Sequence, residues 1–189
     1  METIKELKIK FSSLSPVLFC KHINAEKLEG ETPQQQEERT WKQRAHYDSL
    51  GKVMIPGFML QSSLEPAAKL LGKRVNNAKM GKALTHYIRL IQITGDICTP
   101  ITESTLEGKI AFVSANGQVG GSKVPRTYPI IPKWEGVLIV SYPTIGNVLN
   151  DDLVMEHLQV AGNFIGVGHW RPGAPSCGNF GRFSVNLEK

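Results

Sequence analysis

The chain has 189 residues, 41% of them hydrophobic and 21% charged, with a formal net charge of +5. This size and apolar fraction fit one domain with its own core. No apolar run approaches bilayer-spanning length, and the N-terminus alternates charge with hydrophobicity where a signal peptide would be apolar, so a cytoplasmic protein with no membrane partner is expected.

Leu7, Ile9 and Phe11 alternate with Lys8, Lys10 and Ser12, the period of a half-buried strand, and Ser15-Pro16 ends it. Residues 24–50 read as a polar insertion. Within it Thr32-Pro33-Gln34-Gln35 supplies an N-cap, a first-turn proline and a capping-box glutamine, which predicts a surface helix from Pro33 to Tyr47. Ile55-Pro56-Gly57 reads as a turn. Leu60, Leu64, Ala67, Ala68 and Leu71 then recur at helical spacing up to Gly72; Pro66 conflicts with that helix unless it kinks or starts late, near Ser62 with Glu65 completing a capping box. Residues 72–83 form a basic loop.

Thr85–Thr94, Lys109–Ser114 and Val137–Tyr142 are rich in β-branched and aromatic residues and bounded by Gly or Pro, which predicts strands. Asn116 to Lys123 is a loop or hairpin tip, so 115–134 is a hairpin or thumb-like insertion. Asn150-Asp151-Asp152 opens a second amphipathic helix that closes at Gly162, and Phe183, Val185 and Leu187 alternate in a last strand after a glycine-rich loop over 162–181. The order of strand, helix, strand, strand, helix, strand predicts one domain over 1–189 of α+β class, a ferredoxin-like βαββαβ antiparallel sheet. Such a sheet leaves one face free for bases to stack on aromatics, here Tyr87, Trp134, Tyr142 and Trp170.

Charge is unevenly spread. Acids crowd Glu26 to Asp48, whereas Gly72–Gln92 carries Lys73, Arg74, Lys79, Lys82 and Arg89 without an acid, and Gly108–Trp134 carries Lys109, Lys123, Arg126 and Lys133 without one. Gly166–Phe183 likewise has no acid but five glycines, two prolines and two arginines. Glycines there let successive N–H groups converge on a phosphate, and the basic segments predict a positive surface for nucleic acid. Cys20, Cys98 and Cys177 are odd in number and far apart, and Cys20-Lys21-His22 offers at most two ligands, so neither a disulfide framework nor a metal site is indicated, and no cofactor motif is present.

Ile55-Pro56-Gly57 before the first helix, with Gly166-Val167-Gly168 and Gly178-Asn179-Phe180-Gly181-Arg182-Phe183 after the second, resembles the RAMP superfamily of CRISPR-associated proteins. The chain also looks like small phage-encoded proteins of that design. Glu65 stands near a place where many of the family carry arginine, and the glycine-rich loop is longer, stiffened by Pro172 and Pro175. The resemblance implies binding of single-stranded nucleic acid, RNA more than DNA, through Gly166, Gly168, Gly178 and Gly181 with His169 and Arg171 beside them, while Lys123 and Arg126 would hold phosphates from the mid-chain loop. It also implies self-association along the strand.

Two other roles stay open. Metal-independent endoribonucleases of the family use a histidine; of His22, His46, His86, His157 and His169, His46 with Arg44 and Tyr47 nearby is the best placed, but it has no recognisable partner, so no residue is assigned a catalytic role. A phage protein of this fold would alternatively bind a host defence complex.

Overall fold

The computed structural model describes residues 3–75, 84–114 and 121–188. In chain order the elements are β1 (Ile4–Ser13), β2 (Val17–Leu18), α1 (Pro33–Thr40), β3 (Lys52–Pro56), α2 (Gly57–Leu71), α3 (Thr85–Ile88), β4 (Gln92–Thr94), β5 (Asp96–Thr102), β6 (Glu107–Ser114), β7 (Lys123–Ile131), β8 (Glu135–Pro143), α4 (Asp151–Val160) and β9 (Phe183–Leu187). β1 pairs antiparallel with β8 on one side and β9 on the other, and β4 joins β8, which gives the sheet order β4-β8-β1-β9. Following the chain through β1, α2, β4, β8, α4 and β9 reproduces the ferredoxin-like βαββαβ order.

The period-2 pattern decides which face is covered. Leu7, Ile9 and Phe11 stand opposite Val140, Leu138 and Gly136, and these apolar side chains are buried together with Leu60, Leu64 and Ala67 of α2 and Val154 and Leu158 of α4. The other face presents Lys8 and Lys10 against Ile139 and Val137, with no aromatic among its described residues. This corrects the expectation of a stacking sheet: Tyr142 is 2% and Trp134 4% exposed, both belong to the core, and Tyr87 sits in the short α3.

A second sheet runs β2-β7-β6, and β3 pairs with β5 as a separate ribbon. Neither β2 nor the ribbon was legible in the sequence. The expected strand over 85–94 is half helical, because Leu84 and Ile88, four apart, both turn into the core, and only Gln92–Thr94 pairs. Lys123–Ile131, expected to begin in a loop, is a strand hairpinned to β6.

The capping box at Thr32 and Gln35 forms as expected, but α1 ends at Thr40 and a tight turn over Trp41–Arg44 follows, with Tyr47 bridged to Val53 instead. α2 neither starts late nor is divided at Pro66. It starts at Gly57, whose N–H donates to Asp96 Oδ1 at 2.8 Å, and whose missing Cβ would lie 2.2 Å from the Gly95 carbonyl oxygen. Glu65 makes no capping box; it accepts from Arg89 and Lys69, which hold its carboxyl down at about 2.

Candidate nucleic-acid interface

Four segments remote in sequence meet at the N-terminal end of α2. β2 runs into Phe19-Cys20-Lys21; the insertion returns through His46, whose carbonyl accepts from Met54 N–H at 2.9 Å; β3 delivers the chain to Phe58, Met59 and Ser62; and the glycine-rich loop closes the fourth side. Between them lies a cleft of about 320 Å³ lined by Lys21, His46, Ser62, Gly168, His169 and Arg171 on apolar walls of Phe19, Phe58, Met59 and Val167. Among the described residues no carboxylate lines it.

The glycine-rich loop is stitched down by its own backbone. α4 ends in a π-helical turn over Ala161–Ile165, closed when Gly166 N–H donates to Ala161 C=O at 2.8 Å. Val167 N–H reaches Gly181 C=O, Gly181 N–H reaches Pro16 C=O, His169 N–H reaches Leu18 C=O, and Gly178 N–H reaches Arg171 C=O. The N–H groups of Gly166, Gly178 and Gly181 are therefore spent inside the protein, which corrects the expectation that the loop as a whole forms an anion cradle. Their glycine character serves close approach: a Cβ would lie 2.3 Å from Trp170 O at Gly178 and 1.7 Å from Val167 O at Gly181. Gly168, at φ +80, is also a close-approach glycine, since a Cβ there would lie 2.5 Å from Leu18 O, but it lines the cleft and its N–H has no partner among the described residues.

The side chains around the cleft form one aromatic and cationic surface. His46 sits edge-on to Phe19 at 5.4 Å and to Phe58 at 5.8 Å. His169 stacks on Tyr128 of β7 at 4.7 Å, and Trp170, held at φ 51, packs against both and against Phe180, over which Lys109 Nζ lies at 5.5 Å. Arg126 is two residues from Tyr128 on the same face of β7. Burial holds the imidazole pKa of His46 below its ordinary value, helped by Lys21 and opposed by Asp96; burial does the same to His169, with Arg126 and Arg171 adding to it. Both shifts favour the neutral form of the ring. Lys21 forms no ion pair among the described residues, whereas Arg171 donates to Gly168 C=O at 3.1 Å.

Of the sequence-predicted residues, the structure brings Gly166, Gly168, His169 and Arg171 to the cleft and places Lys123 and Arg126 along exposed β7. It does not bring Lys73, Arg74 or Arg89 there. Lys73 is paired with Glu156 at 2.5 Å, Arg89 with Glu65 at 2.6 Å, and Arg74 lies beyond the far end of α2, about 22 Å along the helix from the cleft. Lys79 and Lys82 lie outside the described residues. Lys133 and Trp134 line a separate cavity of about 510 Å³ with Cys98 and Thr99. Lys21, Phe58 and Ser62 were not anticipated, since nothing in their local sequence marks them; only Ile55-Pro56-Gly57 pointed to this end of α2. Among the described residues no group of three or more His, Cys, Asp or Glu is placed to hold a metal, and no helix is long and apolar enough to cross a membrane.

No family model matches the chain, and no curated protein does. Among solved structures it is similar to a chain in the "Cryo-EM structure of the Type III-B Cmr-beta bound to cognate target RNA", at a TM-score of 0.57 and 11% identity over 98% of this chain and 60% of that one. It also matches the "Crystal structure of Cmr6 from Pyrococcus furiosus", at a TM-score of 0.46 and 13% identity over 97% of this chain and 99% of that one. The chain thus spans 60% of the length of the Cmr-beta chain, and with it shares a ferredoxin-like fold.

Proposed function

We propose that the protein binds single-stranded nucleic acid, RNA in preference to DNA, with phosphates held at the cleft and along β7. The observation that carries this reading is the convergence of Lys21, His46, His169, Arg171 and the unpaired Gly168 N–H in one cleft without a carboxylate. Such a lining attracts a phosphate and repels nothing on it, and Arg126 and Lys109 extend the positive surface past the half-buried Trp170 and Phe180, on which bases stack regardless of sequence. The shared fold with a chain of an RNA-bound structure favours RNA. Neighbouring copies on one strand would touch through the hairpin of β6 and β7, which exposes Ile110 and Phe112.

The test is binding of labelled single-stranded RNA, single-stranded DNA and duplex at two salt concentrations, with particle size measured alongside. Tight binding of single strands that weakens steeply with salt is expected; absence of binding to every strand at low ionic strength overturns the reading.

A second reading, cleavage, is supported by one feature: two imidazoles, His46 and His169, line the same cleft as Lys21 and Arg171. One ring, neutral, would take the 2′-OH proton as the 2′-oxygen attacks phosphorus, the other, having first taken a proton from solvent, would pass it as an imidazolium to the departing 5′-oxygen, and Lys21 and Arg171 would stabilise the crowded phosphorane. Appearance of a 2′,3′-cyclic phosphate and a 5′-OH, abolished by His46→Ala, distinguishes it from binding alone.

A further inference from the structure

The cleft is small and disproportionately basic. Its volume, about 320 Å³, is at the low end of ligand pockets, enough for one nucleotide and not for a run of strand. An internal phosphodiester carries a single negative charge, which Arg171 or Lys21 alone would meet. The lining provides both of these, two imidazoles able to become cations and one free backbone N–H, with no acid among them. This is the complement of a phosphomonoester, which carries close to two negative charges at neutral pH and offers three acceptor oxygens. The apolar walls, Phe19, Phe58, Met59 and Val167, suit the face of the nucleoside attached to it.

We propose, building on the nucleic-acid reading above, that this cleft takes the phosphorylated end of a strand in preference to an internal phosphodiester.

The histidines set how the site responds to pH. His46 is faced by Lys21 and Cys20 from the segment after β2, by Phe58, Met59 and Ser62 from α2, by Asp96 from β5, and by His169 and Arg171 from the loop; His169 is faced further by Tyr128 and Arg126 of β7. In the free protein, burial and these cations lower the affinity of both rings for a proton. A dianion seated between them reverses the local field, so each ring gains a proton as the ligand binds. Binding therefore takes up protons and tightens as the pH falls from 8 to 6.5, a range in which the phosphate remains mostly dianionic.

The experiment compares the full chain's affinity for one RNA sequence in four forms: hydroxyl at both ends, 5′-phosphate, 3′-phosphate, and covalently closed circle. At pH 6.5 one of the two phosphorylated forms is expected to bind at least tenfold more tightly than the hydroxyl form, and the circle to match the hydroxyl form; which end wins identifies the source of the phosphate. Calorimetry in buffers of different ionisation enthalpy should show proton uptake for the phosphorylated form only. Lys21→Ala, a change at an exposed side chain, and His46→Gln should each remove the end preference, with the fold checked by circular dichroism. Equal affinity for all four forms at pH 6.5 overturns this proposal and leaves strand binding intact. Failure of every form to bind overturns both readings.

Discussion

Glu37 and Arg44 form a bidentate ion pair, Nη1 to Oε1 at 2.5 Å and Nη2 to Oε2 at 2.6 Å, and both partners grip the backbone of the same residue on β7. Arg44 donates to Thr127 C=O at 2.8 Å, and Glu37 Oε1 accepts Thr127 N–H at 2.8 Å. The polar insertion is thereby locked onto the sheet that carries Tyr128, with Trp41 packed over Gly108 beside it. Burial by itself would raise the Glu37 pKa, but the hydrogen bonds from Arg44 and from Thr127 N–H outweigh it and hold the carboxyl below its ordinary value.

Glu37→Ala leaves the Arg44 guanidinium buried without its counter-charge. A loss of about 3 kcal/mol is expected for a pair this enclosed, which corresponds to a fall of about 6–12 °C in Tm for a domain of this size. Thermal unfolding followed by circular dichroism checks it; a change under 2 °C would mean that the insertion is held by Trp41 and its neighbours alone.

Stability should fall with acid before the carboxylates titrate. His157 is fully buried in α4; its Nδ1 lies 2.7 Å from Leu153 C=O, its Nε2 has no partner among the described residues, and burial lowers its pKa below 6.5, as it does for His46 and His169. A lowered folded pKa means that the unfolded chain binds more protons once the pH drops below about 6.5, so stability is full above that value and is lost as the pH falls through the window beneath it. The urea midpoint should be lower at pH 5.5 than at pH 7.5, and the gap should narrow in His157→Leu. An unchanged gap in that variant would place the acid sensitivity elsewhere.

Two glycines with nearly the same backbone angle should respond very differently to alanine. Gly30 at φ +73 has nothing within 4 Å of a new Cβ, so Gly30→Ala should cost about 1–2 kcal/mol, the strain of the left-handed conformation alone. At Gly181, φ +69, the new Cβ would lie 1.7 Å from Val167 O, in a hydrogen-bonded crossing of two loop strands, so the loop must move. Chemical denaturation should show Gly181→Ala as clearly the more damaging; comparable losses would mean that the loop yields freely.

Cations that are free should count toward strand binding, and cations already paired should not. Lys21→Ala and Arg126→Ala should each lower the salt slope of binding by roughly 0.7, whereas Lys73→Ala should leave it unchanged because that ammonium holds Glu156. Slopes measured from 50 to 200 mM salt decide this, and a Lys73 effect as large as that of Arg126 would contradict the placement of the strand.

The sequence by itself determined the scaffold. Alternation at Leu7, Ile9 and Phe11, the caps at Thr32 and Asn150, and the last strand at Phe183 to Leu187 are local signals whose energetics act within a few residues, and each element formed where its pattern stands. Only the tertiary structure decided the rest. β2 and the β3–β5 ribbon exist because partners far along the chain supply their hydrogen bonds, and the turn at Thr85–Ile88 is helical because Leu84 and Ile88 must both reach the core. The run of cations from Lys73 to Arg89 reads as a binding surface until Glu156 and Glu65 arrive from α4 and α2 to neutralise its two ends. The cleft has no signature of its own, since Lys21, His46, Phe58 and Gly168 become neighbours only when two sheets and a helix end pack together, and no short-range pattern encodes that meeting.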